Sequence, residues 1–226
     1  MIAQTANIRK FLAKMDTLEQ GIADGKPNLG LVWGDYGRGK TTALTHFVSM
    51  HTNAIYLRAK ARWSATWMLD DLLDALNLDL GGKTREKYAS LAHFLTLHPH
   101  IIIIDEVNLI LNSPSLLEMV RDLHDLSNNN PFVLCGTDDV QTRLKRYGSL
   151  YDRFRIYMGF EAVSADDVAL FAKDAPIKLE QDALSFIAKK STSIRGAQLL
   201  LERLFSKAKA NAFKTLSLAD IKKLER

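Results

Sequence analysis

The 226-residue chain carries 47% hydrophobic and 25% charged residues, the balance of a globular protein with room for one large domain, or for a core and a small companion. Its one cysteine excludes an intrachain disulfide, and no apolar run approaches the roughly 18 residues of a membrane span. Charges interrupt the opening MIAQTANIRKFLAKM, so no signal peptide is expected; a cytoplasmic, non-membrane protein is.

The histidines, at 46, 51, 93, 98, 100 and 124, form no H-E-x-x-H pair, which argues against a zinc site. The net charge of +4 is unevenly spread. Residues 1–186 hold 20 Lys+Arg against 23 Asp+Glu, whereas residues 187–226 hold 10 against 3. A basic tail on a mildly acidic body suits a polyanion such as nucleic acid, or equally a solvated helix surface.

In chain order, apolar residues at 8, 11, 12, 15, 18 and 22 mark a helix over 8–23. The run LGLVW predicts a strand at Leu29–Trp33, and residues 41–50 a helix. Between them lies GDYGRGKTT: Gly34, Asp35, Tyr36, Gly37, Arg38, Gly39, Lys40, Thr41 and Thr42. The spacing fits G-x-x-x-x-G-K-[ST], the phosphate-binding loop, in its confirming strand-before, helix-after context. Glycines let successive backbone N–H groups turn toward phosphate oxygens, and the helix start adds partial positive charge. Lys40 is expected to reach the β- and γ-phosphates of ATP, and Thr41 to ligate Mg²⁺.

A second strand is predicted at Ala54–Arg58 and helices over 64–78 and 86–97, separated by Gly81-Gly82-Lys83. IIIIDE follows, an apolar strand ending in Asp105 and Glu106. Such a strand places its carboxylates at the C-terminal edge of a parallel sheet, where ligands of open α/β folds bind. Asp105 is expected to hold Mg²⁺, directly or through water, and Glu106 to activate the attacking water. A helix over 116–126 leads to FVLCGTDD, a fourth strand. Cys135 within it reads as a small buried thiol. Thr137 after it is placed either near the γ-phosphate or as a cap on the next helix.

A short helix over 139–146 and a strand over 155–158 close the α/β part. Thereafter no strand is evident: helices are expected over 165–173, 181–190, 194–209 and 217–225, with Ser164 and Ser217 as N-caps backed by Asp167 and Asp220. Repeated β–α–β units imply a five-stranded parallel sheet with right-handed crossovers.

Taken together, GDYGRGKT, IIIIDE, the GT after the fourth strand, YDRF and SIRG resemble in order the Walker A, Walker B, sensor 1, arginine-finger and sensor 2 landmarks of AAA+ ATPases. The resemblance implies a nucleotide-binding core over 1–160 and a helical lid over 161–226. It also implies ATP-driven assembly into a ring or helical filament. Arg153 would then reach the nucleotide of a neighbouring copy, with Arg155 a close second and Arg143 and Arg146 further candidates. The other reading of Arg153 is a surface arginine paired with Asp152 or Asp138. Arg195 would act from the lid on its own subunit, unless it is simply a cation at a helix start.

Phe11, Met15 and Leu18, with GLVWG, GKTTAL and the compact lid, further resemble DNA-transposition ATPases of the MuB and TnsC type. The phage Mu B protein carries an N-terminal helix-turn-helix domain, whereas about 28 residues precede the first strand here, so a B-type factor of this sequence is expected to be a minimal one. This resemblance implies non-specific binding to double-stranded DNA, a transposase partner and a bacterial cell, with a phage or mobile element as a possible source. Lys60 and Arg62, after the second strand, and Lys83, Arg85 and Lys87 are the candidate DNA contacts. Trp63 and Trp67 read more naturally as core than as base-stacking platforms. The alternative is a loader acting on a protein such as a replicative helicase.

Overall fold

A computed structural model describes residues 2–22, 25–79 and 81–225. Ala23, the expected end of the first helix, lies outside the described residues. The chain separates into two compact units. One is Lys10–Gly34 with Lys40–Gly159; the other is Phe160–Arg226 with Met1–Arg9 and the loop segment Asp35–Gly39.

The first unit carries β1 (Leu29–Trp33), β2 (Ala54–Arg58), β3 (Ile101–Asp105), β4 (Phe132–Gly136) and β5 (Phe154–Gly159). All pair in parallel, in the order β2-β3-β4-β1-β5. β3 and β4 are buried at every position. An unbroken apolar run is what a strand needs when helices cover both faces of its sheet. β5, at the edge, alternates buried and exposed residues.

The connecting helices are α1 (Ala6–Ile22), α2 (Lys40–Met50), α3 (Ala65–Ala75), α4 (Thr84–Leu97), α5 (Pro114–Leu126), α6 (Val140–Leu144) and α7 (Gly148–Tyr151). Leu72, Leu91, Ile102, Ile104, Leu117, Leu123 and Leu134 belong to the core of this unit. Full burial of each such side chain contributes about 1.5–3 kcal/mol. Ser64 starts α3 by accepting a hydrogen bond from Trp67 N at 3.1 Å. A 3₁₀ turn at Val107–Leu109 and helix α7 were not expected, because one turn is too short to show a helical period.

Register fixes where the loops leave. Arg58 lies opposite Asp105, Ile104 opposite Leu134, and Trp33 opposite Gly136. The segments after β1, β3 and β4 therefore depart from one edge of the sheet.

The second unit holds α8 (Ala165–Phe171), α9 (Gln181–Lys190), α10 (Ile194–Ala210) and α11 (Leu218–Leu224) around Val168, Ile187, Leu201, Leu204, Leu216 and Ile221. The capping boxes form as read: Ser164 and Asp167 exchange bonds at α8, Ser217 and Asp220 at α11. The expectation of no strand beyond Ser164 needs correction. β6 (Lys178–Leu179) and β7 (Thr215–Leu216) pair in parallel. Two residues cannot show a strand period, and their partners lie far apart in the chain.

Candidate active site

The chain leaves β1 through three glycines with φ values of 152° (Gly34), 74° (Gly37) and 88° (Gly39). At Gly37 and Gly39 the left-handed backbone favours glycine, and space demands it as well. A Cβ would stand 2.9 Å from Ser193 Cβ at the first and 2.9 Å from Ile194 Cδ1 at the second. α2 begins at Lys40, so the loop runs directly into the unpaired N–H groups of a helix start.

In the sheet-bearing unit, Lys40 Nζ donates to the Gly34 carbonyl at 2.6 Å. Thr41 Oγ1 donates to Asp105 Oδ2 at 2.7 Å, joining the head of α2 to the end of β3. Asp105 is 3% exposed. Its Oδ2 also accepts from Tyr56 Oη at 3.0 Å, and its Oδ1 from the Glu106 amide at 2.8 Å. Cys135 on β4 is fully buried, and burial, with Asp105 nearby, pushes its thiol well up. It is a small buried thiol, as read from the sequence.

Glu106 turns sharply off the strand with φ 58°, a conformation uncommon for a residue with a side chain. Arg58 Nη2 lies 3.6 Å from its Oε1. The hydroxyl of Thr41 and the carboxylate of Asp105 are hard oxygen donors. They suit Mg²⁺, which takes few protein ligands and leaves the rest to water and phosphate. Among the described residues no group of three or more His, Cys, Asp or Glu is placed to hold a metal.

In the second unit, residues 35–39 are fastened to the C-terminal helices. Ile194 N donates to Gly37 O at 2.9 Å, Arg38 Nη1 donates to Phe160 O at 2.7 Å, and Arg38 pairs with Asp35. Tyr36 is 71% exposed. Ser193 caps α10 by accepting from Gly196 N at 3.0 Å, and Arg195 is exposed in the helix's first turn.

Most of the remaining candidates have partners of their own. Thr137 Oγ1 donates to Asp139 Oδ1 at 2.5 Å, which with other contacts lowers the pKa of that carboxyl. Arg153 grips Asp125 with both Nε and Nη2 at 2.6 Å and donates to Ser149 O. Its acid is therefore Asp125, not Asp152 or Asp138. Arg143 reaches Asp139 and Asn112. Arg155 lies over Gly21, where a Cβ would stand 2.4 Å from its Nη1. Arg146 is exposed.

The proposed DNA contacts divide. Lys60 Nζ is 2.6 Å from Asp71 and 4.7 Å over the Trp67 ring, and Lys87 is 3.0 Å from Asp70. Arg62, Lys83 and Arg85 are exposed and have no ion pair among the described residues. The tryptophans divide too. Trp63 is buried, as read, and its Nε1 donates to Asp71 at 2.6 Å; Trp67 is 44% exposed, not core.

Sequence reading missed Tyr56, Arg58 and Asp125. Tyr56 and Arg58 share one face of β2 by the two-residue strand period. Only the pairing of β2 with β3 turns that face into a neighbour of the two acids.

The AAA domain family matches residues 23–144, more than half of the chain. The chain belongs to this family. Among solved structures, the AAA chain resembles the Aeropyrum pernix ORC2 protein in ADPNP–ADP complexes (TM-score 0.68, 16% identity), covering 99% of itself and 69% of that chain. It resembles a chain of the Drosophila ORC bound to DNA (TM-score 0.64, 16% identity), covering 98% of itself and 60% of that chain. It also resembles the Thermotoga maritima RuvB Holliday junction branch migration motor (TM-score 0.60, 20% identity), covering 96% of itself and 67% of that chain. At these identities the likeness is one of fold. The AAA+ P-loop fold accounts for the sheet order and the position of the loop. No curated protein sequence matches the chain.

Proposed function

We propose that this chain is a Mg²⁺-dependent ATPase that assembles with copies of itself and binds duplex DNA without sequence preference. The observation that carries the ATPase reading is the 2.7 Å hydrogen bond from Thr41 to Asp105, set beside Lys40 at the head of the phosphate loop. A hydroxyl and a carboxylate meet there next to a second acid, Glu106, and Lys40 precedes the hydroxyl in the chain.

The roles follow from the chemistry of each group. Backbone N–H groups of residues 34–41 hold the phosphates, and Lys40 exchanges the Gly34 carbonyl for a phosphate oxygen. Thr41 and Asp105 would hold Mg²⁺, which would supply charge neutralisation to the phosphates. Glu106 takes a proton from water as that water's oxygen bonds to the γ-phosphorus. The bond from that phosphorus to the bridging oxygen breaks, and ADP leaves with the electron pair. Arg58, 3.6 Å from Glu106 Oε1, steadies the position of that carboxylate. Thr137 orients the water once it releases Asp139. Arg153, freed from Asp125, serves the site of a neighbouring copy, and Arg195 serves its own.

DNA binding is supported by exposed Arg62, Lys83 and Arg85 and by the basic residues 187–226. The finer reading, control of a transposase, rests on the sequence resemblance. One part of that resemblance has another explanation, since Phe11, Met15 and Leu18 are all fully buried packing positions of α1. A loader acting on a protein such as a replicative helicase is the second reading. It is favoured by the neutralisation of Lys60 and Lys87 by aspartates. Gel shifts with random duplex DNA, with and without Mg²⁺-ATP, test the first reading. An ATP-dependent, sequence-independent shift that falls with salt supports it; no shift at low salt leaves the protein-partner reading.

A further inference from the structure

Asp105 is held from three sides. Thr41 binds it from α2, the Glu106 amide from its own strand end, and Tyr56 from β2. An ionised carboxylate only accepts hydrogen bonds, so both hydroxyls donate to the same oxygen, Oδ2, at 2.7 and 3.0 Å. Tyr56 is not a rim residue that meets the acid by chance. It lies mid-strand, opposite Ile103, and its ring is half-buried against the sheet.

The geometry points to Tyr56 as a positioning residue for the metal-binding carboxylate of Asp105. It occupies one lone-pair direction of Oδ2 and fixes the rotation of the carboxyl group. The other acceptor position of Oδ2 receives Thr41, and Oδ1 receives the Glu106 amide. Partners of metal ligands commonly act in this way, and their loss typically weakens metal binding by about 10- to 100-fold.

This inference rests on the proposed Mg²⁺–nucleotide site, and the test separates the two. Binding of a fluorescent ADP analogue is measured on the whole protein in EDTA and across a Mg²⁺ titration, for wild type, Tyr56→Phe and Asp105→Asn. Tyr56→Phe keeps the ring and removes only the donor. It is expected to leave metal-free binding and the unfolding midpoint unchanged while shifting the Mg²⁺ midpoint about 10-fold higher. Asp105→Asn is expected to shift it at least as far. If Asp105→Asn shifts the midpoint and Tyr56→Phe does not, Tyr56 has no positioning role. If neither variant shifts it, the Mg²⁺ site itself is wrongly placed. If Tyr56→Phe weakens metal-free binding equally, its role is general support of the fold and the inference is overturned.

Discussion

Lys40 and Glu106 stand within one site yet act at different moments, and this sets their expected phenotypes. In the proposed mechanism Lys40 meets phosphate in the ground state, so Lys40→Ala should weaken ATP binding at least 10-fold. Glu106 there works on water during the reaction, so Glu106→Gln should bind ATP as wild type does and lose about 100-fold or more in turnover. Equilibrium binding and single-turnover hydrolysis separate the two, and full turnover by Glu106→Gln would remove Glu106 as the base. His124 offers a residue-scale prediction about stability. It is fully buried at the end of α5; Nδ1 bonds the Asn130 carbonyl at 2.8 Å, and Nε2 has no partner among the described residues. Burial lowers its pKa below the ordinary 6.5. The folded state therefore resists a proton that the unfolded chain accepts. The sign is set by that difference: stability is complete above about pH 6.5 and falls as pH drops toward the folded pKa, by at most ~1.4 kcal/mol per pH unit. Urea unfolding of His124→Gln should show a flatter slope between pH 7 and 5 than wild type. Equal slopes would mean that another group governs acid stability.

At the scale of elements, the start of α10 constrains the middle of the phosphate loop. Gly37→Ala would place a Cβ in a left-handed backbone and against Ser193, so a loss of several-fold or more in nucleotide affinity is expected, with a lower melting temperature. Calorimetric titration and thermal unfolding read the two effects. A variant that binds ATP normally would show that the loop can take another path. The segment after β2 carries the DNA prediction. Lys60 is already engaged by Asp71 and Trp67, whereas Arg62 has no ion pair among the described residues. Arg62→Ala should therefore weaken duplex binding more than Lys60→Ala does, and should flatten the log–log salt slope by roughly 0.9 per lost phosphate contact. The matching control neutralises Lys207, Lys209 and Lys214. If only the control abolishes binding, the DNA face lies in the basic C-terminal helices.

At the scale of the whole molecule, the proposed assembly depends on Arg153 changing partners. Its bidentate grip on Asp125 is a charge-assisted pair that a neighbour's nucleotide must outcompete. Arg153→Ala should bind ATP but lose ATP-dependent assembly and most hydrolysis. Mixing it with Glu106→Gln should restore part of the activity, because one composite site then holds both an intact arginine and an intact glutamate. Light scattering and phosphate release follow the two readouts. No recovery in mixtures that do co-assemble would remove Arg153 from a shared site.

The local rules written in the sequence determined much of this protein. The glycine spacing, the lysine–threonine step and the apolar run ending in two acids specify the phosphate loop and its acids, because each depends on residues adjacent in the chain. The buried stripes of α1 and β3 and the capping boxes at Ser164 and Ser217 are local in the same sense, and the structure forms them. What only the tertiary structure decided is pairing across distance. The placement of β2 beside β3 brings Tyr56 to Asp105 and Arg58 to Glu106. The packing of α5 near α7 gives Arg153 to Asp125, not to either acid weighed from the sequence. The two-residue strands β6 and β7 exist only because each finds the other. A side chain's hydrogen-bond partner depends on which strands and helices become neighbours. That choice is made by burying apolar faces across the whole chain, so no short stretch of sequence records it.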